Sequence, residues 1–201
     1  MESLDDFKLF LPKYLTPEDQ KGLFEELKNF PANIDSRLYL EICRYDNIIY
    51  QGDGIDKLPV INLPDRRIED VPVMVISNTC DIDPRNERMF KANICYCPIW
   101  KLKKYQEMLI KNGEKEAAVD EHIRRIKQQS ITQIFYLPPS AVLKEEHIIF
   151  FDRINNCVSD YIKSEEVKER KLFFLSNLGL YLFVTKLSIH FTRINEGWSR
   201  D

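Results

Sequence analysis

The sequence feature that most constrains the fold of this chain is a continuous apolar run at residues 73–76 that ends abruptly in polar residues. Such a run is typical of a strand in the core of a sheet. Residues 77–83 follow directly and are rich in polar and reactive side chains, and Pro84 prevents a helix or strand from continuing. Because a rigid strand positions the loop that follows it, the sequence predicts a functional site at this strand end.

The composition indicates one domain with an ordinary charged surface. The chain has 201 residues, of which 44 % are hydrophobic and 30 % charged, with a net charge of −3. This balance does not favour avid, nonspecific nucleic-acid binding by the whole surface, but it allows local basic patches at residues 66–67, 101–104 and 124–127. The amino terminus resembles no signal peptide, and the five cysteines are an odd number. We therefore expect free thiols and a cytoplasmic location.

The periodicity predicts an α+β fold, with a small, strongly twisted sheet or a barrel flanked by helices. Sheet or barrel strands are expected within residues 36–100 and 131–154, at 36–43, 47–51, 59–62, 71–77, 93–98, 132–137 and 147–154. A helical insertion is expected at residues 103–129, as two helices separated by Asn112-Gly113. An amino-terminal helix is expected from Thr16, a side-chain cap followed by Pro17, to about Phe30.

The most apolar segment predicts a long carboxy-terminal helix within residues 170–195. Polar residues interrupt it, so it falls short of the roughly 20 apolar residues that span a membrane. Its broad apolar face is either part of the core, which we favour because so wide a stripe requires cover, or half of a dimer interface. Gly179 would permit close approach of a neighbouring segment. The expected face comprises Leu172, Leu175, Leu178, Leu182 and Phe183.

The polar stretch after residue 76 offers two kinds of chemistry. Cys80 beside Asp81 is a candidate nucleophile, although such a thiol needs a base or a cation to favour its thiolate. Asp81, Asp83 and Asn86 could supply oxygen ligands to Mg²⁺ or Ca²⁺. The alternatives are that Cys80 packs at a strand end and that these side chains stabilise a turn, and we favour them because such turns are common without metal. Asp53, between two glycines, is interpreted as another turn residue.

Basic and aromatic residues near the same stretch suggest a nucleic-acid site. Its candidate residues are Arg66, Arg67, Asn78, Arg85 and Arg88. Guanidinium groups bind phosphate bidentately, and aromatic rings could stack on unpaired bases. Three aromatic candidates follow in the sequence, namely Tyr96, Trp100 and Tyr105. The alternative, which we favour for the arginines, is a solvated loop in which they pair with Glu69, Asp70 and Glu87.

Three motifs follow one another within residues 51–100: Gln51-Gly-Asp-Gly54, Val71-Pro-Val-Met-Val-Ile-Ser77 and Ile94-Cys-Tyr-Cys-Pro-Ile99. Their order resembles the front half of the MazF/PemK-type toxins. The resemblance implies an SH3-like barrel and a prokaryotic protein that acts on or binds RNA in a toxin or defence context. In that family an Arg before the Pro and a Thr after Pro-Ile contribute to RNA cleavage. Val71 and Trp100 stand at those positions here, so the cleavage chemistry is either rebuilt elsewhere or absent.

Three hypotheses follow from the sequence. The first is a protein directed at RNA, with a cognate protein partner such as an antitoxin. The second is a noncatalytic interaction module that forms a homodimer through its carboxy-terminal helix. The third is a cysteine-dependent hydrolase that uses Cys80. We expect no cofactor and no membrane association under any of the three.

Overall fold

The fold is mixed α+β, as the sequence predicts. The computed structural model describes residues 18, 21–22, 34–41, 47–86 and 89–192. The strands within these residues are β1 (Tyr39–Leu40), β2 (Gly54–Ile61), β3 (Ile68–Val75), β4 (Asn93–Pro98), β5 (Trp100–Lys101), β6 (Ile134–Leu137), β7 (His147–Phe150), β8 (Asn155–Val158) and β9 (Lys171–Leu175). The α-helices are α1 (Thr79–Ile82), α2 (Leu102–Lys111), α3 (Glu116–Lys127), α4 (Ser164–Arg170) and α5 (Asn177–Thr192).

The strands form two antiparallel sheets. The larger sheet has the order β1-β9-β2-β3-β4-β8, and the smaller has the order β5-β7-β6. Only Ile99 separates β4 from β5, so the chain passes directly from one sheet into the other. The ends of β2 and β8 approach each other although β3 and β4 lie between them in the sheet, since the Ile61 amide in β2 donates to Oδ1 of Asn155 in β8 at 2.9 Å. Within the described residues the sheets do not form a closed barrel.

Strand β3 confirms that the apolar run lies in a sheet core. Val73 and Val75 are fully buried on one face, in a cluster that α4 covers with Val167. Met74 is fully buried on the other face, where α5 packs. Alternate side chains of a strand point to opposite faces, so a strand covered on both faces reads as a continuous apolar run. A third cluster lies between α2, α3 and the smaller sheet.

The carboxy-terminal helix begins later than the sequence predicts. Residues Lys171–Leu175 form strand β9, and the helix begins at Asn177. The physical reason is Ser176, whose Oγ accepts a hydrogen bond from the Gly179 amide at 3.1 Å and so caps the helix. Leu172 and Leu175 therefore belong to a strand.

The core interpretation of this helix is confirmed. Leu178, Leu182 and Phe183 are buried in the cluster beneath α5. They are therefore not an exposed dimer face, and a dimer through this helix would have to use exposed residues such as Ile189 and Phe191. No helix among the described residues has both the length and the apolar character needed to cross a membrane.

Other boundaries also differ from the prediction. Residues 47–51 form a turn, and the strand predicted at 147–154 ends at Phe150. Of the strand predicted at 36–43, residues 36–41 are described, and they contain only a 3-10 turn and the two-residue β1. Strand β8 and helix α4 were not predicted, and the polar stretch after residue 76 contains the short helix α1. Of the predicted amino-terminal helix only Glu18, Lys21 and Gly22 are described, and they are helical; Thr16, Pro17 and Phe30 lie outside the described residues.

The turn before β2 contains a buried ion pair. Asp53 lies in a turn, as predicted, since its amide donates to the Tyr50 carbonyl at 3.1 Å. Its carboxylate also contacts Nζ of Lys171 in β9 at 2.8 Å, and each side chain is exposed by no more than 3 %. Burial raises the pKa of Asp53 to about 6, although the Lys171 ammonium lowers it. This ion pair ties the turn to the neighbouring strand.

Helix α5 carries a second buried cation, Lys186, which is only 8 % exposed. Its Nζ donates to Oε1 of Gln129 at 2.8 Å and to the Ile134 carbonyl. Burial lowers the pKa of Lys186 from 10.5 to about 7. Both acceptors are uncharged, so the ammonium is stabilised by the dipoles of an amide and a carbonyl group and not by a carboxylate.

We expect Lys186→Met to raise the free energy of unfolding near pH 6, since it removes a buried charge that has no carboxylate partner. The folded pKa lies below the unfolded one, so the unfolded chain binds more protons between about pH 7 and 10.5. The free energy of unfolding of the wild type should therefore rise with pH in that window because of Lys186, and this rise should be absent from the variant. Urea unfolding from pH 6 to 9.5, with the exposed Lys111→Met as control, measures this; equal pH profiles for wild type and Lys186→Met would contradict it.

Candidate functional site

The polar stretch after β3 is held by side-chain bonds to its surroundings. Asn78 Oδ1 accepts from the Cys80 amide at 2.9 Å and caps α1. Thr79 Oγ1 accepts from the Gln51 amide at 3.0 Å, and Ser77 Oγ accepts from the Cys95 amide at 2.8 Å. These three polar side chains therefore stabilise the loop itself.

The catalytic assignment of Cys80 and Asp81 stays a prediction. Cys80 is exposed, and its carbonyl accepts from Nδ2 of Asn86 at 2.6 Å. The three histidines of the chain lie on other elements, namely α3, β7 and α5. Their ring contacts are with Tyr105 for His122, with the Glu145 carbonyl for His147, and with Phe151 for His190. These contacts bring no histidine to the thiol.

The candidate metal ligands are engaged within the loop. The Asp83 carboxylate pairs with the Arg85 guanidinium at 2.7 Å, which holds the pKa of Asp83 below its ordinary value. The Asn86 amide bonds to the Cys80 carbonyl. No group of three His, Cys, Asp or Glu side chains within the described part of the chain is arranged to hold a metal ion.

The predicted arginine cluster is divided between the two ends of β3. Arg66 and Arg67 precede the strand and Arg85 follows it. The eight residues of the strand span about 25 Å, so these guanidinium groups cannot bind one phosphate. Arg67 pairs with Asp65 at 2.6 Å and Arg85 with Asp83 at 2.7 Å, so each pairs with an acid two residues before it, which is not among the acids named from the sequence. Arg88 lies outside the described residues.

The three aromatic candidates have different environments. Tyr96 is fully buried, and its hydroxyl donates to the Pro59 carbonyl at 2.6 Å, so the prediction that it stacks on bases is wrong. Tyr105 is half-buried on α2, and its hydroxyl is 3.1 Å from Nε2 of His122. Trp100, also half-buried, lines an open cleft.

This Trp100 cleft has a volume of about 430 Å³ and lies between the β2–β3 hairpin and the start of α2. Three cationic side chains line it: Arg67 from the hairpin connection, Lys101 from β5 and Lys104 from α2. Two acids, Asp65 and Glu69, lie on the hairpin side. Val71 and Trp100, which are 29 positions apart in the chain, line the same cleft. The cleft therefore brings together the two positions at which this chain differs from the toxin motifs.

The Trp100 ring is held in place by its neighbours. The Arg153 guanidinium lies 4.6 Å from the ring centroid, and Phe150 contacts it edge-on at 6.2 Å. A cation over an indole face is attracted by the ring quadrupole. Trp100 thus lines the cleft as a fixed aromatic residue beside several cations, and residues of these types can together stack on a base and contact its phosphates.

Sequence reasoning identified Arg67 and Trp100 but missed their neighbours. Lys101 and Lys104 were identified only as part of a basic patch, and Arg153 was not identified. The missed signal is that this basic patch follows Trp100 directly, where a two-residue strand leads into a helix. No model of a known protein family matches the chain. A comparison with curated proteins likewise gives no match.

Proposed function

We propose that this protein binds single-stranded RNA in the Trp100 cleft and does not cleave it. The observation that carries the proposal is that Trp100 lines the cleft together with Arg67, Lys101 and Lys104. Single-strand binders use this combination, because every base has a face that can stack and every nucleotide carries a phosphate. An unpaired base is required, since a duplex hides its faces.

The resemblance to MazF/PemK-type toxins supports the same location. Val71 and Trp100 stand where that family has its catalytic Arg and Thr, and both line the cleft. The proposal therefore includes a prokaryotic toxin or defence context, a cytoplasmic location, and a sheet derived from an SH3-like barrel. A cognate protein partner such as an antitoxin would belong to this context.

The absence of cleavage is proposed from the residues that line the cleft. RNA cleavage by acid–base catalysis needs groups that exchange protons near neutral pH, most often histidine. The described residues that line the Trp100 cleft include no histidine, and the valine at position 71 cannot stabilise a phosphate charge. A protein that binds RNA without cutting it is consistent with this set.

We expect Trp100→Ala to weaken binding of a single-stranded RNA about 10- to 100-fold, since one base stack contributes about 1–3 kcal/mol. Trp100→Phe should remain within about fivefold of wild type because it keeps a stacking face. Lys104→Ala should weaken binding less and lower its salt dependence. Fluorescence anisotropy with an octamer of mixed sequence measures all three, with thermal unfolding as a check on folding.

The matched control is Phe90→Ala, which removes an exposed aromatic ring from the β3–β4 connection, outside the cleft. It should leave RNA affinity unchanged, and a duplex RNA of the same length should bind at least ten times more weakly. Equal losses for Phe90→Ala and Trp100→Ala would refute a site in the cleft, as would duplex binding that matches the single strand.

We expect cells that express the wild-type protein and the Cys80→Ala/Asp81→Ala variant to show equally intact total RNA. The polar loop is tied to its own backbone and lies at the end of β3 remote from the hairpin. Inducible expression followed by growth and RNA electrophoresis tests this. Wild-type RNA cleavage that the double variant abolishes would instead place a nuclease or hydrolase site at Cys80.

A further inference from the structure

A second groove lies on the other side of the start of α2. This Lys144 groove is lined by Leu102, Lys103 and Gln106 from α2, by Ile123 and Lys127 from α3, and by Pro139, Lys144, Glu145 and Glu146 from the segment before β7. Its volume is about 720 Å³. Like the Trp100 cleft, it has three cations and two acids among its lining residues, although the whole chain has a net charge of −3.

The two depressions meet at one short stretch of chain. Trp100, Lys101 and Lys104 line the first, and Leu102 and Lys103 line the second. The lining changes from the first to the second where β5 ends at Lys101 and α2 begins at Leu102, and Lys104 lines the first again. Lys101 of the Trp100 cleft contacts Glu145 of the Lys144 groove at 3.0 Å, so the two depressions adjoin at this ion pair.

The acids of the Lys144 groove are largely neutralised. Glu145 contacts Lys101 at 3.0 Å, which holds its pKa below the ordinary value. Glu146 contacts Lys127 at 2.7 Å and accepts from the Tyr136 hydroxyl at 2.6 Å. Lys144 and Lys104 have no ion pair with a described residue. Lys103 of the Lys144 groove likewise has none, so one ammonium in the Trp100 cleft and two in the Lys144 groove are available to phosphates.

We propose that a single RNA strand occupies both depressions, with one base on Trp100 and a phosphate further along the strand on Lys144. This inference rests on the proposed function and extends it to a substrate that spans about four nucleotides or more, as is usual for small single-strand-binding domains. Lys101 and its partner Glu145 lie at the crossing point, so Lys101 exchanges a carboxylate contact for a phosphate contact when the strand binds. The site is therefore a continuous path and not a pocket for a single nucleotide.

The test uses oligouridylates of two, four and eight nucleotides with wild type, Lys144→Ala and the control Lys111→Ala. Lys111 is exposed on the last turn of α2 and lines neither depression. Wild-type affinity should rise more than tenfold between two and eight nucleotides. Lys144→Ala should weaken the octamer about three- to tenfold and reduce the slope of log K against log salt by about 0.7, the value for one phosphate on a single strand. Lys144→Ala should leave the affinity for the dinucleotide unchanged.

The outcomes separate this inference from the proposed function. If the dinucleotide binds as tightly as the octamer, or if Lys144→Ala behaves as Lys111→Ala does, the path into the Lys144 groove is wrong and the Trp100 site stands. If no length binds, both fail. If an acidic peptide of eight residues displaces the octamer only from wild type and not from Lys144→Ala, the groove is a peptide site and the inference is overturned.

Discussion

Asp53→Ala is expected to lower the free energy of unfolding by about 3–5 kcal/mol, because it leaves the buried Lys171 ammonium without its carboxylate. Lys171 cannot turn towards water without leaving its other contacts. Its Nζ also donates to the Ile48 carbonyl and lies 4.4 Å from the Phe174 ring centroid. The Asp53 carboxylate additionally accepts from the Tyr50 amide at 2.8 Å, so the variant removes a turn contact as well.

Equilibrium urea unfolding at pH 7 measures the effect. Lys171→Met should be about as destabilising, because it leaves a buried carboxylate, and the double variant Asp53→Ala/Lys171→Met should be more stable than either single variant. The control Glu121→Ala removes the carboxylate of a fully exposed ion pair with Arg124 and should have little measurable effect. Additive losses in the double variant would show that the two groups do not stabilise each other.

Gly179→Ala should destabilise the protein by about 1–3 kcal/mol or more, because the new methyl group has no space. A Cβ at this position would lie 2.2 Å from the carbonyl oxygen of Leu38, which is backbone and cannot rotate away. That carbonyl also accepts from the Ser176 amide at 2.9 Å, so moving it would disturb the start of α5. Helix α5 and the chain before β1 would be forced apart.

Gly22→Ala is the matched control, since Gly22 is also helical and nothing lies within 4 Å of its Cβ position. Alanine is the better helix former by about 1 kcal/mol, so this variant should be slightly more stable than wild type. Thermal and urea unfolding of the two variants should thus give changes of opposite sign. A Gly179→Ala protein as stable as wild type would mean that α5 does not pack closely on Leu38.

The sequence predicted the elements whose signals are local. Strand β4 matches its predicted bounds, and the bounds of helices α2 and α3 lie within two residues of the predicted ones. An apolar run marks the strand, and apolar residues at helical spacing mark the helices. Strand β9 was missed because its apolar residues continue into those of α5, and a run of apolar residues alone does not distinguish a strand from a helix. Ser176 marked the boundary, but it was interpreted as an interruption of one helix.

The candidate site was only partly accessible from the sequence. The sequence identifies Trp100 and Arg67 as candidates because of their side-chain chemistry. That both line one cleft depends on the tertiary structure, which places β5 beside the β2–β3 hairpin. Arg67 and Arg85 were also grouped from the sequence alone, and the length of strand β3 separates them in the chain. Likewise, Asp53 was correctly interpreted as a turn residue, while its partner Lys171 is 118 positions away.

Crosslinking of a single-stranded RNA that carries 5-iodouridine, followed by mass spectrometry of the linked peptide, tests the central claim most directly. A halogenated base that stacks on an aromatic ring should link to that ring on irradiation. We expect the main crosslink at Trp100 and its loss in Trp100→Ala. A main crosslink within residues 77–86, around Cys80, or the same crosslinks in wild type and Trp100→Ala, would contradict RNA binding in the Trp100 cleft.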